Sequence, residues 1–195
     1  MNILPHRVAQ FLASTTAFVC VCHAAEVESR PIAPLQLPDL AGKATLIPDP
    51  KSKATVLIFL STTCPICNKY APEITRLAKT YTAHGISFLL VQIEKDLSPE
   101  GARKHANDFN LPSPVILDPG HRLANITGCT STPQVAVVSS DRIVVYRGCI
   151  DDRFFQLGKD SINPKHSFLR QALDEILAGK PVSEPTTPAI GCVIE

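Results

Sequence analysis

The cysteines of the sequence Cys64-Pro65-Ile66-Cys67 are two residues apart, a spacing at which their sulfurs can close a small disulfide ring. Disulfide exchange needs an attacking thiolate and a second thiol that then releases the mixed disulfide. A cysteine at a helix N-terminus meets unpaired backbone N–H groups and the positive end of the helix dipole, which together lower its pKa. If a helix begins here, we expect Cys64 to be the attacking nucleophile, with the lower pKa and the greater exposure, and Cys67 to be the resolving thiol.

Two other kinds of site use the same cysteine spacing. A zinc site would need a second close pair of ligands, and Cys129, Cys149 and Cys192 are too widely spaced in sequence to provide one. A purely structural disulfide between Cys64 and Cys67 would close so small a ring that it would constrain the unfolded chain very little. We therefore favour exchange over both alternatives.

A strand and a helix must position these cysteines. Residues 54–60 are apolar and rich in β-branched side chains, which predicts a buried strand of a parallel sheet. Pro65 then falls in the first turn of a helix, where its missing N–H has no partner to lose. The helix is predicted from apolar residues that recur every three or four positions, namely Ile66, Tyr70, Ile74, Leu77 and Tyr81. Cys64 is thus expected where the strand ends and the helix begins.

The rest of the chain alternates strands and helices. Further strands are predicted at 86–93 and 115–118, and helices at 98–110, 122–126 and 166–177. Two β-branched runs, 134–139 and 143–147, flank Ser140-Asp141-Arg142 and predict a hairpin. This order predicts an α/β fold, in which a central mixed sheet has helices on both faces and a closing antiparallel hairpin.

Residues 1–25 have the features of a signal peptide. His6 and Arg7 give a weakly positive start, residues 11–22 are mostly apolar, and small residues at Ala24-Ala25 suit cleavage. We expect an exported protein, periplasmic or extracellular, whose mature chain begins near Ala25 or Glu26; an uncleaved membrane anchor is the alternative. A proline-rich arm (26–51), the main domain (52–180) and an irregular C-terminal tail (181–195) would follow.

The charge distribution limits the class of partner, and the number of cysteines bears on how they pair in an oxidising compartment. The 19 basic and 18 acidic residues are well mixed, so no Lys/Arg-rich block is present and a nucleic-acid partner is not expected. Removing the leader with its Cys20 and Cys22 leaves five of the seven cysteines. An odd number in an oxidising compartment leaves at least one thiol to explain. Cys129 and Cys149 are expected near the active-site face, and the sequence gives no place for Cys192.

Several segments beyond the cysteine pair carry a family resemblance: Ala71-Pro72, the segment 117–124, Thr132-Pro133 with the apolar run after it, and Gly148. With these segments the chain resembles the thioredoxin superfamily, in particular its redoxin branch of TlpA-like and AhpC/TSA-like proteins. The resemblance implies a thioredoxin-like fold. It also implies that Thr132-Pro133 is a cis-proline loop that faces the cysteines and binds a substrate strand, and that Gly148 closes the same groove.

The chain departs from this superfamily at three positions. Thr63 precedes the first cysteine, where Trp is frequent, and Ile58 occupies the position at which thioredoxins bury a proton-shuttling acid. Ser61 fits the peroxiredoxin pattern, but Leu57 stands where that pattern needs proline. Proton transfer to Cys67 must therefore use water or another group, and dithiol exchange is favoured over peroxidase activity.

The resemblance implies an extracytoplasmic thiol–disulfide oxidoreductase that acts on protein thiols and disulfides and has an upstream redox partner. No cofactor or metal is expected, and contact with a membrane is expected only if the leader is uncleaved. Two alternatives stay open. One is a Sco-like copper chaperone, because soft thiolates suit Cu(I), although Sco-type cysteines are three residues apart. The other is a redox-inert binding module of the same fold. The direction of exchange and the oligomeric state do not follow from the sequence.

Overall fold

A computed structural model of the chain describes residues 30–112, 114–156, 159–161 and 163–195, so the expected signal peptide lies outside the described residues. The helices are α1 (Pro65–Thr82), α2 (Pro99–Asp108), α3 (Arg122–Thr127) and α4 (Phe168–Leu177). The strands are β1 (Leu35–Pro38), β2 (Ala44–Ile47), β3 (Ala54–Leu60), β4 (Ile86–Gln92), β5 (Val115–Leu117), β6 (Ser131–Thr132), β7 (Gln134–Ser139), β8 (Val144–Gly148), β9 (Phe154–Gln156), β10 (Lys159–Asp160) and β11 (Cys192–Val193).

The central sheet has the strand order β5-β4-β3-β7-β8. Strand β3 is parallel to β4, and β4 is parallel to β5, while β7 runs antiparallel to both β3 and β8. The predicted mixed sheet with its closing hairpin is therefore confirmed. The bounds of β3 and β7 are the predicted ones, and those of the other predicted elements differ by one or two residues, because element ends depend on capping as well as on periodicity.

All seven residues of β3 are buried, and they alternate between two apolar clusters. Val56 and Ile58 pack on the face that holds α1 and α4, whereas Leu57 and Phe59 pack on the opposite face with Leu123 of α3. A strand that is buried on both faces is apolar at nearly every position, which explains the run of apolar residues that Thr55 alone interrupts. This buried strand gives the site at its carboxyl end a rigid base.

The N-terminal arm belongs to the domain. Strands β1 and β2 form an antiparallel hairpin, and Ile32 and Ile47 are buried in the same apolar cluster as α3. Asp39 forms a bridge to Ile116 of β5, so the hairpin packs against the edge of the central sheet. The sequence suggested a separate lead-in segment because its prolines obscure the alternation of buried and exposed residues.

The C-terminal segment, predicted to be irregular, contains strand β11. This strand pairs antiparallel with β6, so that Cys192 lies opposite Thr132 and Val193 opposite Ser131. A two-residue strand gives no periodic signal in sequence, which is why the pairing was not predicted. Within the described residues, no helix is both long enough and apolar enough to span a membrane.

Candidate active site

Cys64 lies at the junction of β3 and α1, as the N-cap residue of the helix. Its backbone is extended, with φ −82° and ψ 112°, and Pro65 occupies the first turn. No acidic side chain lies in that first turn, so no carboxylate there competes with a Cys64 thiolate for the free N–H groups or repels it. The position that the sequence predicted for Cys64 is therefore the observed one.

The Cys64 sulfur is enclosed by backbone and by a second thiol. In its protonated form it donates a hydrogen bond to the carbonyl oxygen of Thr132, at 3.3 Å. The Cys192 sulfur lies 3.0 Å from the Cys64 sulfur and donates to it. Cys64 is only 1% exposed and Cys67 only 2%, so the expectation that Cys64 would be clearly the more exposed is wrong. The reason is the C-terminal tail, which places Cys192 against Cys64.

The two motif cysteines differ strongly in acidity. Hydrogen bonds from the Cys67 and Cys192 thiols lower the pKa of Cys64 from 9.0 to about 4, although burial opposes this. Burial, together with the hydrogen bond to Cys64 and the negative charge of Cys64, raises the pKa of Cys67 far above its ordinary value. The Cys64 thiolate is therefore stabilised, and Cys67 holds the proton that stabilises it.

The loop at Thr132 faces both motif cysteines. The Thr132–Pro133 peptide bond is cis, as predicted, and the Thr132 carbonyl contacts Cys64. The Thr132 side chain also interacts with Cys67. The side-chain oxygen of Gln134 accepts hydrogen bonds from the backbone N–H groups of residues 130 and 131, at 2.8 and 3.1 Å. These bonds fix the loop that carries the Thr132 carbonyl.

Gly148 lies at the end of β8, against the tail. A Cβ atom at this position would lie 2.0 Å from Oγ1 of Thr187 and 2.7 Å from its carbonyl oxygen, so only glycine fits. The backbone N–H of Cys149 donates to the same hydroxyl at 3.1 Å. Gly148 and Cys149 thus help to hold the tail, whereas the sequence suggested that they would line a groove open to a partner.

Cys129 is a buried structural thiol. It is 4% exposed and packs in the apolar cluster that contains α3. Burial raises its pKa to about 12, so it is protonated at neutral pH and is a poor nucleophile. Its described contacts give it no part in the exchange site.

Glu94 is a site residue that the sequence analysis missed. One carboxylate oxygen accepts hydrogen bonds from the hydroxyls of Ser61 and Thr62, at 3.0 and 2.7 Å, and from the backbone N–H of Thr62. Its other oxygen, Oε2, is buried and has no hydrogen-bond partner among the described residues. Because β3 and β4 are parallel neighbours, Glu94 follows β4 at the sheet edge where Ser61 follows β3. The sequence alone gave no such pairing, since the register of the two strands was unknown.

His105 is held by two neighbouring side chains. Its Nε2 lies 2.8 Å from Oδ1 of Asn68 and its Nδ1 lies 3.0 Å from Nε2 of Gln92. Burial lowers the pKa of His105, which favours the neutral ring. Both ring nitrogens are occupied, which fits a structural role. In the part of the chain that the structure describes, no group of three or more His, Cys, Asp or Glu side chains is arranged to hold a metal ion.

The sheet topology, the cysteine pair at the start of α1 and the cis-proline loop opposite it together define a thioredoxin-like protein. The Redoxin family model matches residues 26–153, and the chain belongs to the Redoxin family. The match includes the N-terminal arm, in agreement with the packing of β1 and β2.

Two curated relatives, the thiol-disulfide oxidoreductases ResA of Bacillus thuringiensis (strain Al Hakam) and of Bacillus anthracis, are 27% identical to the chain over 107 residues. The match covers 55% of this chain and 61% of each relative, so the chain spans about three fifths of their length.

Solved structures share the fold. An uncharacterised conserved protein of Geobacillus kaustophilus has a TM-score of 0.76 and 30% identity, over 86% of this chain and 90% of that one. StoA of Bacillus subtilis has a TM-score of 0.53 and 18% identity, over 61% of this chain and 88% of that one. The second likeness is one of fold alone.

Proposed function

We propose that this protein is an extracytoplasmic thiol–disulfide oxidoreductase that exchanges disulfides with protein partners through Cys64 and Cys67. The observation that carries the proposal is the position of Cys64: a thiol at a helix N-terminus, 3.3 Å from the carbonyl of Thr132 in the cis-proline loop, where neighbouring thiols and the free N–H groups of the helix lower its pKa. A structural cysteine needs no such stabilisation of its anion. The name of the curated ResA relatives supports the same chemistry.

The reaction begins with attack of the Cys64 thiolate on one sulfur of a partner disulfide. The new Cys64–partner bond forms as the partner disulfide breaks, and the second partner sulfur leaves as a thiolate. Cys67 then attacks the Cys64 sulfur, which closes the Cys64–Cys67 disulfide and releases the partner in its reduced form. The reverse sequence oxidises a partner dithiol.

The loss of the negative charge on Cys64 in the first step lowers the pKa of Cys67 for the second step. The negative charge and the hydrogen bond of Cys64 both raise the pKa of Cys67 in the reduced protein. Both effects disappear when Cys64 enters a mixed disulfide, because its sulfur is then neutral. The pKa of Cys67 falls at the moment at which Cys67 must become a nucleophile, and its proton leaves to solvent or to a neighbouring group, since Ile58 offers no carboxylate.

The location and the partners follow from the sequence features. The apolar leader at 1–25 supports export to the periplasm or the cell exterior, where an exchanger meets disulfide-bonded proteins. Thr132 and Pro133 form the proposed partner-binding loop, and Gly148, which packs against Thr187 of the tail, lies at its border. An upstream redox partner is required to restore the starting state of the Cys64–Cys67 pair after each exchange, because exchange conserves the number of disulfides.

Cysteine variants test this proposal. Cys64→Ser should abolish the reduction of insulin disulfides in the presence of dithiothreitol. With Cys192 also replaced by Ser, so that no second thiol lies beside Cys64, Cys67→Ser should still attack but should accumulate as a mixed disulfide with the partner, visible as a mass increase on non-reducing analysis. Cys129→Ala removes a thiol that has no contact with the site and is the matched control, with activity close to that of the wild type. If both motif variants trap a partner equally, or if neither does while the wild type binds Cu(I) tightly, the exchange mechanism is wrong.

A further inference from the structure

The C-terminal tail is hydrogen-bonded to strand β8 at residues 185–187, before the part of the tail that contacts the active site. The backbone N–H of Arg147 donates to the carbonyl of Pro185 at 2.9 Å, and Thr187 returns a bond to the carbonyl of Arg147 at 3.1 Å. The Thr187 side chain is buried and its hydroxyl lies 2.7 Å from the hydroxyl of Tyr146. These contacts place the last eight residues of the chain beside the cysteine pair.

The same tail then crosses the cis-proline loop at very close range. A Cβ atom on Gly191 would lie 2.1 Å from the Thr132 carbonyl oxygen, so glycine is required at the crossing. Beyond it, Cys192 pairs with Thr132 in the β11–β6 ladder, and Ile194 donates its N–H to the carbonyl of Thr130 at 2.9 Å. The tail thus occupies the backbone edge that stands next to the Cys64 sulfur.

This arrangement leaves Cys192 as the one exposed residue among the three cysteines at the site. Cys64 and Cys67 are buried, whereas Cys192, whose sulfur lies 3.0 Å from that of Cys64, is exposed. A partner disulfide cannot contact Cys64 while the tail is in place, but it can contact Cys192. The exposed thiol is therefore the natural point of exchange with a large partner.

We propose that Cys192 is a third catalytic cysteine, which forms a disulfide with Cys64 and carries the exchange between the buried Cys64–Cys67 pair and the partner. This inference rests on the proposed function, because it extends the same exchange by one step. Forming the bond requires the two sulfurs to approach by about 1 Å from their present separation, to a disulfide length of about 2.05 Å.

The additional step balances without an external oxidant. Starting from the Cys64–Cys67 disulfide, the Cys192 thiolate attacks the Cys64 sulfur; the Cys64–Cys192 bond forms, the Cys64–Cys67 bond breaks, and Cys67 leaves as a thiolate that takes up a proton. A partner thiolate then attacks the exposed Cys192 sulfur and expels Cys64. Cys64 is the good leaving group of the pair because its thiolate is the more stabilised one. A second partner thiol attacks the partner sulfur of this mixed disulfide, releasing Cys192 and the oxidised partner; the reverse order reduces a partner.

The charge on Cys64 also controls when Cys192 can react. In the reduced protein, the hydrogen bond to Cys64 and the charge of Cys64 raise the pKa of Cys192 to about 11, so Cys192 stays protonated. In the Cys64–Cys67 disulfide that charge is absent, and the Cys192 thiol ionises more readily. The Cys192 thiol is therefore a poor nucleophile in the reduced protein and becomes nucleophilic once the Cys64–Cys67 pair is oxidised.

Peptide mapping of an oxidised variant tests the Cys64–Cys192 bond directly. Purified Cys67→Ser is treated with oxidised glutathione, alkylated and digested with trypsin, which separates Cys64, Cys129, Cys149 and Cys192 into different peptides. We expect the peptides that contain Cys64 and Cys192 to be cross-linked and the other two cysteines to be alkylated. Cys64 that carries glutathione while Cys192 is alkylated would overturn the proposal.

The wild type separates this inference from the function on which it rests. If the wild type forms the Cys64–Cys67 disulfide and reduces insulin while Cys67→Ser gives no Cys64–Cys192 cross-link, the third cysteine alone is refuted. If the wild type itself neither forms the disulfide nor reduces insulin, the proposed function fails and the inference fails with it.

A rate measurement shows whether the step lies on the path of exchange. With the Cys64–Cys67 disulfide already formed, Cys192→Ser should oxidise a dithiol peptide at least about tenfold more slowly than the wild type, because a partner thiol must then wait for the tail to move away from Cys64. Val193→Ser is the matched control, since Val193 lies in the same strand, is 73% exposed and should leave the rate unchanged. A rate for Cys192→Ser that equals or exceeds that of the wild type would mean that the tail is only a cover.

Discussion

Replacing Gly191 by alanine should detach the tail from the active site. The new Cβ atom would lie 2.1 Å from the carbonyl oxygen of Thr132, 2.6 Å from its carbonyl carbon and 3.1 Å from the nitrogen of Pro133. Non-bonded carbon atoms prefer separations of about 3.5–4.0 Å, so the tail backbone must retreat by more than about 1 Å. All three atoms belong to the backbone of a fixed loop, so a side-chain rotation cannot relieve the contact.

The magnitude follows from the bonds that hold the tail at this point. A retreat of that size breaks the bond from Ile194 to Thr130, at 2.9 Å, and the bond from the Thr132 hydroxyl to the Cys192 carbonyl, at 3.5 Å. Two hydrogen bonds with net contributions of about 0.5–1.5 kcal/mol each give a loss of about 1–3 kcal/mol in docking free energy. The undocked fraction of the tail should rise by about 5- to 150-fold.

Alkylation of Cys64 by iodoacetamide reports this fraction, because Cys64 is 1% exposed when the tail is docked. In reduced protein at pH 8, we expect Gly191→Ala to accelerate modification of Cys64 at least about fivefold, in line with the lower bound of the lost hydrogen bonds. Gly120→Ala is the matched control, since its Cβ would meet nothing closer than Arg122 Cγ at 3.9 Å. Equal rates of Cys64 modification in Gly191→Ala and wild type would refute the docking of the tail over the site.

Three further predictions concern the site itself. Cys67→Ala should raise the pKa of Cys64, because the Cys67 hydrogen bond is the largest cause of the lowered value; thiolate absorbance at 240 nm against pH measures it. Glu94→Ala should lower the free energy of unfolding by about 2–3 kcal/mol in urea titrations, because a charged acceptor of bonds from Ser61 and Thr62 is lost; wild-type stability would contradict this role. The reduced wild type should gain stability relative to Cys64→Ser as the pH rises from 5 to 8. A folded pKa of about 4, below the ordinary 9.0, gives a stabilisation that is lost as the pH falls towards 4; a flat difference between the two urea titrations would contradict the lowered pKa.

The sequence predicted those parts of the fold that a local pattern specifies. The apolar run of β3 identified a strand buried on both faces, and the spacing of Ile66, Tyr70 and Ile74 identified helix α1. Together they placed Cys64 at the helix N-terminus before any tertiary contact was known. The hairpin of β7 and β8 was equally visible, because two β-branched runs flank a turn-forming segment.

The parts that were missed depend on contacts between distant residues. Cys192 is 128 positions from Cys64, and only the path of the tail over Thr132 brings the two sulfurs together. The odd number of cysteines was the one available signal, since it required a thiol without a partner. Glu94 was missed because its partners follow a neighbouring strand. The prediction that Cys64 would be the more exposed cysteine was wrong because the two-residue strand β11 covers it.

The reduction potential of the Cys64–Cys67 pair tests the central claim most directly. Equilibration of the wild type in glutathione redox buffers, followed by acid quenching and mass analysis of the peptide that contains both cysteines, gives the fraction oxidised at each potential. We predict a reversible two-electron transition between about −270 and −120 mV, the range of dithiol exchangers, because the stabilised Cys64 thiolate favours the reduced form. A pair that stays oxidised to below about −300 mV, as structural disulfides do, or that never oxidises, would contradict the claim that these cysteines exchange disulfides.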